Sequence, residues 1–306
     1  MNKNYDVIII GAGPCGIGAA VTLKEAGINF AIIEKGAPGG KINIAPRVDN
    51  YPGFFEIPGP DLAVAFFERL VKNNIKITPD EVLSLEKCEE GYLLKCKKEE
   101  YVAKYVLVAT GTTERKLGLP KEIELIGKGI SYCAVCDGHF FKNKDVVIVG
   151  GGNSALKEAI HLATIVNKLY VVHRRNEFRG TTKTLNELKS HENVEIITPY
   201  VPVEILGEDK IEGLVIEHRE TQERRTLKVD GFFPLVGQDP NTKFVNIVDV
   251  LDEKGTIPFD RTNMQTAHEG LFAGGDATPR PIRQIYLAEH DGVVAAKSII
   301  KLIKGQ

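Results

Sequence analysis

The chain has 306 residues, with 39 Lys and Arg against 41 Asp and Glu, a formal net charge of −2 and 43% hydrophobic residues. That length predicts about two domains. The composition excludes disorder, collagen-like repeats and a disulfide-stapled miniprotein, because five Cys is sparse for this length. No apolar run approaches the length that spans a bilayer, and the charge balance favours neither nucleic acid nor a membrane surface as a partner. The first residues, MNKNYDVIII, run straight into a strand pattern and predict no leader.

The first strong signal along the chain is an apolar strand over 7–10. Gly11-Ala12-Gly13-Pro14-Cys15-Gly16 follows, then a helical run over 17–26 that Gly27 is placed to stop. A second strand over 30–33 ends in Glu34. Strand-like runs come next over 82–85, 92–96 and 105–108, the last turning sharply at Ala109-Thr110-Gly111. After Cys133-Ala134-Val135-Cys136-Asp137-Gly138, the opening unit recurs. A strand over 146–149 leads into Gly150-Gly151-Gly152-Asn153-Ser154-Ala155, a helical run to about Thr164 and a strand over 169–172 ending at His173-Arg174-Arg175. Further strand-like runs cover 194–197, 214–217 and 232–236. A short strand closes in Gly274-Gly275-Asp276, and an amphipathic helical run covers about 282–301. The alternation argues for α/β with two sheet-centred domains.

Each glycine turn has the pattern that binds a dinucleotide. The first Gly permits the tight turn, the second lets backbone approach a pyrophosphate, and the third packs helix on strand. The two copies differ at the end of their second strand. Glu34 there suits free ribose hydroxyls, as in FAD or NAD. Arg174, with His173, Arg175 and Arg179, suits the 2′-phosphate of NADP. Two different nucleotide sites in one chain point to internal electron transfer, with NADPH as hydride donor and a flavin as acceptor.

The CxxC has no second Cys pair or His pair to complete a zinc site, so a redox dithiol is the more natural reading. Asp137 has two readings. It is an acid for a leaving thiolate if its pKa is raised, or a cap for a helix or turn. Cys15 reads as a packing residue and Cys88 and Cys96 as inert.

In their order along the chain, these motifs resemble the low-molecular-weight thioredoxin reductases over essentially its whole length. The likeness also takes in Gly39-Gly40, Asn50-Tyr51-Pro52-Gly53, Phe178-Arg179 and Arg283-Gln284. The resemblance implies two Rossmann-like three-layer nucleotide-binding domains, with an NADPH domain (116–245) inserted in a split FAD domain (1–115 and 246–306). It implies that Gly11, Gly13, Pro14, Gly16, Glu34, Lys35, Gly40, Lys41, Asn50, Val82, Ala109, Thr110, Gly111, Gly275, Asp276, Arg283 and Gln284 contact FAD. Gly152, Asn153, Ser154, His173, Arg174, Arg175 and Arg179 would hold NADPH. Cys136 would be the thiol nearest the flavin, Cys133 would attack the thioredoxin disulfide, and Asp137 would be the acid. The resemblance further implies a homodimer, a rotation between the domains and, with no leader and an NADPH supply, a cytoplasmic location. The chain departs from the family pattern at Lys41, where Gln is usual, over 43–47, which replaces a Thr-rich stretch, and at Glu289-His290-Asp291, where small residues are expected. Two other readings keep the same parts. One is a flavin-dependent dithiol oxidoreductase fed by ferredoxin or oxidising dithiols with oxygen, against which the second glycine turn and its arginines argue. The other is a nucleotide sensor that has lost catalysis, which would have no need of a dithiol.

Overall fold

The computed structural model describes residues 3–45 and 47–305. The chain forms two compact units, one of residues 1–113 with 239–306 and the other of 114–238. The return crossing lies at 238/239, ahead of the 245/246 edge expected from the sequence. Two contacts draw the intervening segment into the first unit: Asn241 Nδ2 donates to Thr110 O, and Val245 is buried among Leu85, Val250 and Ile257.

The first unit opens with β1 (Lys3–Ile10), α1 (Pro14–Glu25) and β2 (Phe30–Glu34), followed by α2 (Gly59–Lys72) and β3 (Ile77–Pro79). Then come β4 (Val82–Cys88), β5 (Gly91–Cys96) and β6 (Glu100–Val108). The chain crosses through β7 (Thr112–Glu114). In the second unit are α3 (Ala134–Asp137), β8 (Asp145–Val149), α4 (Asn153–Ala163), β9 (Lys168–Val172) and α5 (Thr182–Lys189). Its strands continue with β10 (Val194–Ile197), β11 (Tyr200–Leu206), β12 (Gly213–His218), β13 (Arg224–Lys228) and β14 (Gly231–Pro234). The chain returns through β15 (Gln238–Pro240), which pairs with β7, and ends with β16 (Leu271–Ala273) and α6 (Ile285–Lys304).

The sheet of the first unit runs β3-β2-β1-β6, parallel throughout, and β6 shares its outer edge. Antiparallel β5 takes its first half, and parallel β16 takes Val106–Val108 by pairing with Leu271–Ala273. The alternating residues of β1 divide the core. Val7 and Ile9 face the layer of α1, α2 and α6, whereas Ile8 and Ile10 face Leu85 and Leu94 of the β4–β5 hairpin. Burial on both faces explains why these strands read as unbroken apolar runs. The second unit repeats the plan with the parallel order β10-β9-β8-β14. Val146 and Ile148 pack on α4, while Val147 and Val149 pack on Leu214, Ile216 and Leu227 of the antiparallel β11-β12-β13 sheet. Both units are therefore three-layer and Rossmann-like.

The helix boundaries follow local chemistry. Helix α1 begins at Pro14, ahead of the expected residue 17, because proline's fixed φ suits the first helical position. It ends at Glu25 with Ala26 as its cap, and Gly27 follows left-handed at φ +72°. Helix α6 starts at Ile285 and runs to Lys304, where Gly305 caps it at φ +67°.

Candidate functional site

In the first unit, the expected residues gather at the C-terminal ends of the parallel strands, where open α/β sheets bind ligands. Gly11 leaves β1 at φ +105°, and a Cβ there would lie 2.6 Å from Ala109 O. A Cβ on Gly16 would lie 1.8 Å from Gly11 O, so helix α1 sits directly on the turn. Gly13 differs: a Cβ there meets nothing within 4 Å, and its backbone, at φ −78° and ψ −175°, suits any residue. Gly13 caps α1 without a side-chain bond, with Pro14 in the first turn, so the helix start faces open space. Gly40 lies beside it, its would-be Cβ 3.5 Å from Gly13 Cα.

Glu34, at the end of β2, binds backbone with both oxygens: Oε2 accepts the Ala12 N–H at 2.8 Å and Oε1 the Gly36 N–H at 2.7 Å. Each oxygen keeps capacity for a second donor, as ribose hydroxyls require. Lys35 is exposed, 3.6 Å from Glu81. Val82 is buried at the start of β4, two residues beyond Asp80, whose N–H donates to Glu34 O. Ala109 continues β6 through its N–H to Ile10 O, Thr110 Oγ1 donates to Asn241 O, and Gly111 is left-handed at φ +65°.

Lys41 reaches across the same strand ends, donating to Thr112 Oγ1 at 2.6 Å and lying 3.4 Å from Asp276 Oδ2. Asn50 Nδ2 donates to Gln284 Oε1, and Arg283 is half-buried just before α6. Gly275, at φ +66°, donates its N–H to Asp291 Oδ2. Asp291 is fully buried and held by Arg280 at 2.5 Å; burial still raises its pKa above the ordinary Asp value. Glu289 binds the Tyr51 hydroxyl at 2.5 Å and pairs with Arg69. Two of the three unexpected residues at 289–291 are thus neutralised by partners, and the third, His290, points outward with 67% of its side chain exposed.

The second unit builds its turn the same way. A Cβ on Gly150 would meet Leu235 O at 2.5 Å, and one on Gly151 would strike the His173 ring at 2.3 Å. Gly152 has nothing within 4 Å and caps α4 without a side-chain bond. Asn153 Oδ1 accepts the Thr181 N–H, Ser154 is exposed, and the Arg179 N–H donates to Gly151 O. His173 is buried beneath the turn against Phe178, with Nε2 lacking a partner among the described residues. Burial pushes its pKa below the ordinary His value, opposed by a backbone hydrogen bond at Glu177 and reinforced by Arg174, Arg179 and Arg175. Those three arginines are exposed around the turn.

On the same helix α4 rests the dithiol turn. Cys133 and Cys136 form a disulfide with Cα atoms 5.3 Å apart. Buried Ala134 packs among Leu156, Ala159 and Leu162, and a Cβ on Gly138 would lie 2.7 Å from Leu162 Cδ2. The Cys136 N–H donates to Cys133 Sγ at 3.2 Å. Asp137 is buried, and its Oδ2 accepts the Ser131 hydroxyl at 2.5 Å. Ser131 Oγ in turn accepts the Cys133 N–H at 3.1 Å. Glu158 of α4 accepts the Ala134 N–H at 2.8 Å, and burial raises its pKa to about 7. Sequence reasoning missed Ser131 and Glu158. Ser131 carries the faint signal of a hydroxyl two residues ahead of the pair; Glu158 carries none, because only the packing of α3 on α4 brings it there.

Among the described residues, no helix is long and apolar enough to cross a membrane, and no three His, Cys, Asp or Glu side chains gather to hold a metal.

Residues 5–292 match the family model described as pyridine nucleotide-disulphide oxidoreductase. The chain is 39% identical to the thioredoxin reductase of Mycoplasma pneumoniae, covering 96% of this chain and 94% of that one. It is 38% identical to the Bacillus subtilis thioredoxin reductase over 97% and 94% of the two chains. The crystal structure of thioredoxin reductase from Streptococcus pyogenes superposes with a TM-score of 0.93, at 37% identity, over 100% of both chains.

Proposed function

The chain belongs to the pyridine nucleotide-disulphide oxidoreductase family, whose members use a flavin and a pyridine nucleotide, and from that premise we propose that it is an NADPH-dependent thioredoxin-disulfide reductase carrying FAD. The observation that carries this reading is the seating of the Cys133–Cys136 disulfide on α4, the helix that begins at the second glycine turn. One rigid element thus bears both the electron acceptor and the site for the donor's phosphates.

FAD belongs to the first unit. The open space at Gly13 and Gly40 accepts its pyrophosphate, the Glu34 carboxylate its ribose, and Lys41, Asn50, Asp276, Arg283 and Gln284 the rest of the cofactor. Gly11, Pro14, Gly16, Lys35, Val82, Ala109, Thr110, Gly111 and Gly275 shape that site. NADPH belongs to the second unit, where Gly152, Asn153 and Ser154 meet its pyrophosphate, and Arg174, Arg175 and Arg179, with His173 beneath them, meet the 2′-phosphate. The arginines support NADPH as donor over ferredoxin. When bound, the flavin supplies the two-electron relay between a nicotinamide hydride and a disulfide.

The chain's own residues do the remainder. Once the disulfide is open, the Cys133 thiolate attacks one sulfur of the thioredoxin disulfide and forms a mixed disulfide. Cys136 then attacks Cys133 Sγ, re-forming the Cys133–Cys136 bond and releasing thioredoxin with two thiols. Asp137 is the acid that protonates the leaving sulfur, and Ser131 fixes its carboxyl. The enzyme works as a cytoplasmic homodimer. Anaerobic titration with NADPH should bleach the flavin spectrum, and oxidised thioredoxin should restore it. A flavin that NADPH leaves oxidised would defeat the proposal.

A further inference from the structure

Helix α4 carries a carboxyl that nucleotide binding leaves unused. Glu158 Oε2 accepts the N–H of Ala134, the residue directly after Cys133, at 2.8 Å. The neighbouring amides of the turn have other acceptors: Cys133 N–H bonds Ser131 Oγ, Cys136 N–H bonds Cys133 Sγ, and Asp137 N–H bonds Cys133 O. Glu158 therefore grips the backbone between the two sulfurs from the side of the buried helix.

We propose that Glu158 governs the ionisation of the Cys133–Cys136 dithiol, its carboxyl positioning the turn through Ala134 and, when charged, opposing a thiolate on Cys133. The biological use of this control rests on the disulfide-reductase reading; its test does not. A carboxyl pushed up to about 7 by burial, with the Ala134 N–H working against the rise, changes charge in the range where thiols do their chemistry. The ionisable groups on the turn and its continuation are Cys133, Cys136, Asp137 and His139, and α4 adds Lys157 and His161. Elements packed on α4 bring Lys183, Glu187 and Lys189 of α5, Asp145 of β8, and Lys168 and Tyr170 of β9. None of these enters the Glu158 shift, which burial and one amide account for. The sulfurs are the groups free to change charge as the turn is reduced. A small dithiol opens the disulfide by passing its two hydrogens to the cysteine sulfurs while its own disulfide closes. A proton leaving Cys133 then competes with the proton on Glu158, and the two titrate as a coupled pair.

Alkylation kinetics test the coupling. The holoprotein is reduced anaerobically with dithiothreitol and freed of excess reagent. It is then reacted with iodoacetamide from about pH 5.5 to about pH 9.5, and the modified cysteine is located by peptide mass. The wild-type rate at Cys133 should rise in two steps. Glu158→Gln keeps an acceptor for Ala134 but cannot ionise. It should show one step, react roughly 3- to 10-fold faster near pH 8, where like charge is removed, and match wild type near pH 6. Superposable profiles would overturn the proposal. So would a single-step profile in the wild type, a result that needs no variant to fold. Failure of the NADPH and thioredoxin titration leaves this readout untouched, so the two readings fail separately.

Discussion

The amide of Cys136 points back at the sulfur of Cys133 across 3.2 Å. In the reduced turn the same N–H favours negative charge on Cys133, as a cap does at a helix start. On the proposed function, that N–H suits Cys133 as the attacking thiol and leaves Cys136 to resolve the mixed disulfide. Cys133→Ser and Cys136→Ser should each drop NADPH-driven thioredoxin reduction to background while the purified protein stays yellow. Flavin absorbance and turnover of the same preparation check it, and full activity in either variant would make the pair bystander chemistry.

Two glycines of the first turn should behave in opposite ways. A Cβ at Gly13 meets nothing within 4 Å in a backbone any residue adopts, so Gly13→Ala should melt at the wild-type temperature. On the proposed function, the added methyl would occupy the approach of the FAD pyrophosphate. Losing one charge-assisted hydrogen bond there should weaken FAD roughly tenfold or more. At Gly16 the Cβ would overlap Gly11 O at 1.8 Å, and forcing helix from strand costs about 2 kcal/mol or more. Gly16→Ala should lose stability and flavin together. Thermal melts beside FAD titration separate the cases, and a Gly13→Ala protein with unaltered FAD affinity would move the cofactor elsewhere.

These turns were legible in the sequence because their chemistry is local. Strand, three glycines, helix and terminal charge fall within one short stretch, and the apolar runs of β1 and β8 carry burial on both faces. The amphipathic α2 escaped notice because Val64, Phe67 and Val71 keep apolar side chains on its exposed face and blur the period. Strand β13 was hidden by its polar, exposed residues, Arg224 and Arg225 among them, which read as loop, and β11 by Pro202 in its middle, which argues against a strand. Glu158 on Ala134 and Asp291 on Gly275 join residues far apart in the chain, and spacing cannot announce a contact that only tertiary packing makes.

The arginines on the second turn should discriminate between nicotinamide cofactors. Arg174 and Arg175 are exposed directly after His173, whose ring lies against Gly151, and on the proposed function their cations meet the 2′-phosphate that NADPH carries and NADH lacks. Arg174→Ala with Arg175→Ala should raise the KM for NADPH about tenfold or more, the worth of one or two charge-assisted bonds. The KM for NADH should change by no more than about twofold, within the range of surface substitutions. Steady-state kinetics with both cofactors decide it, and equal losses would remove the 2′-phosphate from this cluster.

The raised Glu158 pKa also makes a statement about folding. Its ordinary value is 4.5, and in the folded protein burial lifts it to about 7. Between those two values the native chain holds a proton that the unfolded chain has released, so stability falls as pH climbs through that window. Below pH 4.5 both states are protonated and the effect vanishes; above about 7 both are ionised and the full cost of a buried charge is present. The shift sets a ceiling of about 3 kcal/mol, of which about 1–2 kcal/mol should survive local relaxation and water. Glu158→Gln keeps an acceptor for the Ala134 amide and carries no charge, so it escapes the cost. In oxidised protein, its melting temperature relative to wild type should therefore be higher near pH 8 than near pH 5. Melts at the two pH values measure the difference directly. A gap between variant and wild type that stays constant with pH would mean Glu158 is already ionised at pH 5, and that water reaches the carboxyl behind the disulfide.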